Sequence, residues 1–332
     1  MVMNTGILPH QDVEIGPDHV TSLHSGDDVV HVTGPGTVIQ TGGSHTIVSD
    51  HGPMTVNATG GNSVIFGSRD GDLINEGPSC VFVGAANGGV STINASPGGS
   101  DTIFAGNGVV YHGERGDHSL FIGGNGAATV NSAANQTLFA GTGGGIYTAG
   151  SNQFFFAGAG GADTVIGNAA SSTLWTHDRE RLTLMTGSAG GPGAHIVAFG
   201  DQDNIDMMHG SGHDSVILWS AQIASGGVAY GFTGNTTLTA STTGGDLFAL
   251  FSGSQFGMPS NGPHTITIAN WQPSDILDLS FAQDHAGNFL AGYSAADAAS
   301  AQAQLAAGNS FTLSDDTTVT FEGAKPTTIL HV

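Results

Sequence analysis

The sequence predicts an all-β chain: a parallel β-solenoid with about 18 residues per coil, then a C-terminal mixed β region with one short helix. Three observations predict it. A short apolar run followed by Gly recurs along the chain. A second short run lies between successive copies. Gly, 54 of 332 residues, gathers at the junctions between runs.

The first run reads Val81-Phe82-Val83-Gly84, Ile103-Phe104-Ala105-Gly106, Leu120-Phe121-Ile122-Gly123, Leu138-Phe139-Ala140-Gly141 and Phe155-Phe156-Ala157-Gly158. Its Phe residues are 22, 17, 18 and 17 positions apart. The second run reads Thr37-Val38-Ile39, Thr55-Val56-Asn57, Leu73-Ile74-Asn75, Thr92-Ile93-Asn94, Val110-Tyr111-His112, Thr129-Val130-Asn131 and Ile146-Tyr147-Thr148. Runs this short, rich in Val, Ile, Phe and Thr, are strands. One pair cannot bury its apolar face alone, but stacked pairs do, with parallel strands about 4.8 Å apart. Gly at the corners permits tight bends.

Stacking places equivalent residues in columns. Phe82, Phe104, Phe121, Phe139 and Phe156 are expected to form an interior aromatic column. Asn57, Asn75, Asn94 and Asn131 are expected to form a ladder of amides, with His112 and Thr148 as further rungs.

The expected organisation is an N-terminal segment or cap over residues 1–25, solenoid repeats over 26–244, and a capping or secretion-type region over 245–332. Within the last, Ser294 to Ala307 is Ala- and Gln-rich and stops at Gly308-Asn309, as a helix does. Ser310 to Gly323 alternates as a hairpin should.

Composition bounds the partners. Lys and Arg number 5 against 27 Asp and Glu, a net charge of -22. Nucleic acid and anionic membranes both demand many cations, so neither is an expected partner. No apolar run reaches the about 18 residues of a spanning helix, so membrane insertion is not expected. The lone Cys80 excludes an internal disulfide and a Cys-based metal site; beside Val81 it reads as a small buried residue. Met1 to Val20 lacks the regions of a secretory signal peptide.

Several turns carry a further pattern: Gly160-Gly161-Ala162-Asp163-Thr164-Val165, Gly98-Gly99-Ser100-Asp101-Thr102-Ile103, Gly210-Ser211-Gly212-His213-Asp214-Ser215-Val216 and Gly200-Asp201-Gln202-Asp203-Asn204-Ile205. They resemble the G-G-x-G-x-D-x-U-x nonapeptide of the hemolysin-type (RTX) parallel β-roll. The segments His264 to Trp271 and Pro273 to Leu279 resemble the end of repeat domains in type I secreted proteins. The resemblance implies a β-roll with degenerate repeats, export without an N-terminal signal, and calcium held between coils. It implies few calcium sites, because acidic residues are spread out; the candidate ligands are Asp101, Asp117, Asp163, Asp203 and Asp214, with Asp101 and Asp117 on neighbouring coils.

No H-E-x-x-H, G-x-S-x-G or P-loop pattern is present, and His177-Asp178-Arg179-Glu180-Arg181 reads as a solvated loop. An enzyme is therefore not expected. The function expected is an extracellular structural protein of matrix, fibre or surface-layer type, associating end to end through open solenoid edges. The alternatives are a secreted polysaccharide-acting enzyme or accessory module, a calcium-dependent adhesin meeting cell-surface glycans, and an ice-binding solenoid using its Thr residues.

Overall fold

The computed structural model of the chain describes residues 2–5, 12–114, 118–131, 136–149, 154–156, 160–167, 173–176, 181–186, 193–198, 203–209, 214–219, 222–225, 228–231, 235–251, 264–280, 282–283, 289–290 and 293–331. It is a parallel β-solenoid with two strands per coil, in two compact units, Met1–Gly161 and Ala162–Val332.

In the first unit the chain alternates between two sheets. Sheet one runs from Val2–Thr5 through Val20–Leu23 and Gly36–Gln40 to Gly145–Ala149. Sheet two runs from Asp12–Ile15 through Val29–Val32 and Thr46–Ser49 to Phe154–Phe156. Every neighbouring pair in these ladders is parallel, and equivalent residues lie one coil apart, as in Val38↔Val56 and Val56↔Ile74. Coils already form within residues 1–25, since Val2–Thr5 pairs with Val20–Leu23 and Asp12–Ile15 with Val29–Val32. The repeat there lacks the Phe-x-Gly signature, so sequence spacing alone does not reveal it.

Alternation within each strand sends one set of side chains inward. The sheet-one column holds Val38, Val56, Ile74, Ile93, Tyr111, Val130 and Tyr147, all fully buried. The sheet-two column holds Val30, Ile47, Ile65, Phe82, Ile103, Phe121, Leu138 and Phe155. The two columns meet in the middle, where Tyr147 stacks edge-on to Phe155 at 4.9 Å between ring centroids and Tyr111 lies 6.2 Å from Phe121.

The interior aromatic column is thus only partly as the motif suggests. Phe82 and Phe121 point inward, but Phe104 is 40% exposed and Phe139 is half-buried on the outer side. The pairing Phe82↔Ile103 and Phe121↔Leu138 shows why. The Phe-x-Gly motif slides by one residue between coils, and a one-residue slip turns a side chain to the opposite face. The side chain of Phe156 lies outside the described residues.

Gly residues allow the coils to nest at the corners. A Cβ on Gly126 would stand 1.2 Å from the carbonyl oxygen of Asn107, and one on Gly124 would stand 1.5 Å from that of Gly106.

The second unit has the same plan. One sheet takes Ala162–Gly167, Arg181–Thr186, Asn204–Asp206, Asn235–Thr239, Thr265–Ala269 and Thr318–Glu322 in parallel order, with Ser310–Thr312 antiparallel at its edge. The other takes Thr173–Thr176, His195–Ala198, Ser215–Trp219, Leu247–Phe251, Ile276–Asp278 and Ile329–Leu330. The solenoid ladder therefore continues well past residue 244. The antiparallel hairpin Gln222–Ser225 with Val228–Gly231 and the helix are inserted between coils, which breaks the 18-residue spacing in the sequence but not the stacking. Trp271 fills the core between Phe248 and Phe321, at 5.7 and 5.3 Å.

The helix Ala295–Ala307 begins at a capping box: the Asp297 N–H donates to the Ser294 hydroxyl, and the Ser294 N–H donates to the Asp297 carboxylate. Burial pushes the Asp297 carboxyl up, but the bonds from Ser294 and Ser314 outweigh it and hold the group below its ordinary value. Its buried side, Ala298, Ala301 and Leu305, packs on the terminal strands Ser310–Thr312 and Ile329–Leu330. At the other end Lys325, the single lysine of the chain, donates from Nζ to the carbonyls of Leu305 and Gly308 at 2.5 and 2.6 Å. An ammonium there satisfies carbonyls that have no partner within the helix. Among the described residues no helix is long and apolar enough to cross a membrane.

Candidate functional site

Three of the acidic residues singled out in the sequence, Asp101, Asp203 and Asp214, sit at corners immediately before a strand. At such a corner the chain turns, and the main-chain N–H of the residue preceding the strand needs an acceptor from the next coil. At several corners of the first unit that acceptor is a side chain. The Asp28 N–H donates to His45 Nδ1 at 3.2 Å, and the His45 N–H donates to the Ser63 hydroxyl at 3.3 Å. The Cys80 N–H donates to Asp101 Oδ1 at 2.8 Å, and the Asp101 N–H donates to the Ser119 hydroxyl at 3.0 Å. The corner into sheet one has the same device: the Met54 N–H donates to Asp72 Oδ1 and the Asp72 N–H to the Ser91 hydroxyl, at 2.9 and 3.2 Å.

The second unit carries the most regular form. The Ala194 N–H donates to Asp214 Oδ1 at 2.7 Å, the Asp214 N–H to Asp246 Oδ1 at 3.0 Å, and the Asp246 N–H to Asp275 Oδ1 at 3.1 Å. Asp246 also accepts from the Ser241 N–H at 2.8 Å, and Asp275 from the Gln272 N–H at 2.7 Å. Three carboxylates thus follow one another on successive coils. Burial raises the Asp275 pKa above its ordinary value, main-chain donors oppose this, and the neighbouring charge of Asp246 adds to the rise.

Of the expected calcium ligands, Asp101, Asp163, Asp203 and Asp214 are buried to within 1%, and Asp117 lies outside the described residues. Asp101 faces Ser119 on the next coil, two residues beyond Asp117 in the sequence. Asp163 enters the strand Ala162–Gly167 opposite Leu182, and Asp203 Oδ2 accepts from the Thr176 hydroxyl at 2.6 Å. These four are not brought to one centre. Asp101 and Asp214 each accept a main-chain N–H through Oδ1. Among the described residues no group of three His, Cys, Asp or Glu is placed to hold a metal ion.

Asp246 and Asp275 escape sequence reasoning because insertions put them 32 and 29 residues from the previous rung. The signal that finds them is an Asp directly before an apolar run, as in Asp214-Ser215-Val216, Asp246-Leu247-Phe248 and Asp275-Ile276-Leu277. Cys80 is fully buried, and burial pushes its thiol up to about 12, which keeps it protonated and unreactive. Of the charge cluster, His177 to Glu180 lie outside the described residues, and Arg181 opens a strand with its side chain exposed.

The two outward faces of the first unit differ in chemistry. On sheet one the amide ladder forms: Asn75 Nδ2 donates to Asn57 Oδ1 at 2.7 Å and Asn94 Nδ2 to Asn75 Oδ1 at 2.8 Å. His112 Nδ1 lies 3.1 Å from Asn131 Nδ2 on the same ladder. Beside it the outward residues run Thr37, Thr55, Leu73, Thr92, Val110, Thr129 and Ile146.

On sheet two the six strands from Thr46–Ser49 to Thr137–Phe139 present two outward columns. One is Thr46, Val64, Val81, Thr102, Leu120 and Thr137; the other is Val48, Phe66, Val83, Phe104, Ile122 and Phe139. Neither holds a charge, on a chain whose net charge is -22. Comparisons with protein families, with curated proteins and with solved structures find nothing that matches this chain.

Proposed function

We propose that this chain is an extracellular structural protein of matrix, fibre or surface-layer type, built from a self-associating β-solenoid. The observation that carries the reading is the uncharged outward face of the six sheet-two strands from Thr46–Ser49 to Thr137–Phe139, with Phe66 and Phe104 each 40% exposed. A contiguous apolar surface on a highly acidic chain favours contact with another surface over contact with water. The inward placement of the acidic corner residues supports a load-carrying role, since Asp101, Asp214, Asp246 and Asp275 bond one coil to the next. The extracellular half rests on composition, with 27 acidic residues, 5 basic ones and one Cys, and on turns that resemble those of secreted β-rolls.

Association through the side of the solenoid fits better than the end-to-end mode, because the helix Ala295–Ala307 packs over the last strands. Calcium enters the proposal as a stabiliser at turns outside the corner ladders.

Electron microscopy and sedimentation of the purified protein, with Ca²⁺ and then with a chelator, test the reading. Concentration-dependent assemblies are expected. A strictly monomeric particle under every condition refutes self-association, and assemblies indifferent to the chelator refute the calcium part.

A further inference from the structure

We infer that the outward face of sheet two pairs with the same face of a second copy, the two solenoid axes running antiparallel. The inference rests on the self-associating reading above and names the partner and the geometry.

The argument is a pattern of size along one column. On successive coils the outward residues are Val48, Phe66, Val83, Phe104, Ile122 and Phe139. Aromatic and aliphatic side chains alternate strictly. Phe knobs therefore recur every second coil, about 9.6 Å apart, with a shallower Val or Ile between them. A second copy has the same repeat, so the two surfaces stay in step along their whole length.

A two-fold axis in the plane of contact, parallel to the strands, reverses the order of the column. It then sets Val48 against Phe139 of the second copy, Phe66 against Ile122, and Val83 against Phe104. Each large side chain meets a smaller one, and no Phe meets Phe head-on. An isologous contact of this kind is self-complementary and closes at two copies. The adjoining column obeys the same operation: Val64 meets Leu120, Val81 meets Thr102, and Thr46 meets Thr137. A parallel two-fold running along this column would place Phe on Phe at three positions.

The size of the face sets the strength. Six strands about 4.8 Å apart and three residues wide give a plane of roughly 300 Å² per copy. A standard interface takes about 800 Å² from each partner. The pair is therefore a reversible one, held at high local concentration and lost on dilution.

The test uses the full chain in two single variants, Val48→Cys and Phe139→Cys, mixed in equal amounts. Packed sheets stand about 10 Å apart, too far for a direct disulfide, so a short bismaleimide of that span is the probe. Native Cys80 is buried and stays unmodified. Within one chain the two positions are five coils apart, about 24 Å, which excludes internal cross-linking. The mixed dimer is expected in several-fold excess over either homodimer. Phe104→Ser and, separately, Phe66→Ser are expected to weaken association in sedimentation equilibrium at least about tenfold, with unchanged circular dichroism. Homodimers as abundant as the mixed dimer, or association unaffected by both Ser variants, overturn the pairing while leaving self-association standing. A wild-type chain that stays monomeric at every concentration overturns both.

Discussion

Replacing Asp246 by Ala tests whether the corner carboxylates hold the coils together. Asp246 is fully buried and accepts two main-chain hydrogen bonds, from Asp214 N–H at 3.0 Å and Ser241 N–H at 2.8 Å. Alanine leaves both donors buried without an acceptor. Each such group costs about 1–3 kcal/mol, so the loss is about 2–6 kcal/mol, at the low end if water enters the space left behind. Asp246→Asn keeps one carbonyl oxygen and replaces the other with an amide that can only donate. It loses one bond instead of two, about 1–3 kcal/mol. Urea unfolding followed by circular dichroism gives the two totals. Amide hydrogen exchange at Asp214 and Ser241 shows where the loss falls, and both should speed up in the Ala variant. An Ala variant within about 0.5 kcal/mol of wild type, or one whose Asp214 and Ser241 amides keep their protection, refutes the ladder as a source of stability.

Three further predictions follow from the same geometry. Because the folded pKa of Asp275 is raised, its favourable contribution is fully present below the ordinary value of 3.8 and is lost as pH rises through the raised one. Urea midpoints measured across that interval should fall with rising pH for this group, and Asp275→Asn should remove that component of the slope. Gly126→Ala drives a Cβ to 1.2 Å from the Asn107 carbonyl oxygen, so the corner must open; a thermal melt should show a loss of at least about 2 kcal/mol. Lys325→Met removes the donor to the carbonyls of Leu305 and Gly308; a loss of about 0.5–1 kcal/mol is expected, with faster amide exchange in the last helical turn.

Much of this molecule is legible in its sequence because its elements are short and signalled locally. The Asn ladder is readable from the recurrence of Asn57, Asn75 and Asn94 at one position of the second run, and the structure bonds them in that order. The helix is readable from its ends, Ser294 with Asp297 at one and Gly308 at the other. The hairpin expected over 310–323 appears as Ser310–Thr312 paired with Thr318–Glu322. The corner ladder is less legible. Asp101 requires knowing that Ser119 comes next, and Asp246 and Asp275 require knowing that long insertions do not interrupt the stack.

By itself the sequence determines an acidic, Gly-cornered parallel solenoid, since turn chemistry and strand propensity act over a few residues. The tertiary structure alone decides which side chains face in. In a run of three residues, one position of slip exchanges the core set for the surface set, and only pairing with the coils on either side settles the choice. Phe82 and Phe104 share one motif, yet Phe82 is buried in the core and Phe104 stands on the face proposed for a second copy. The same pairing brings the Asp101 and Asp214 carboxylates to main-chain N–H groups of the neighbouring coil, a contact that no run of sequence displays.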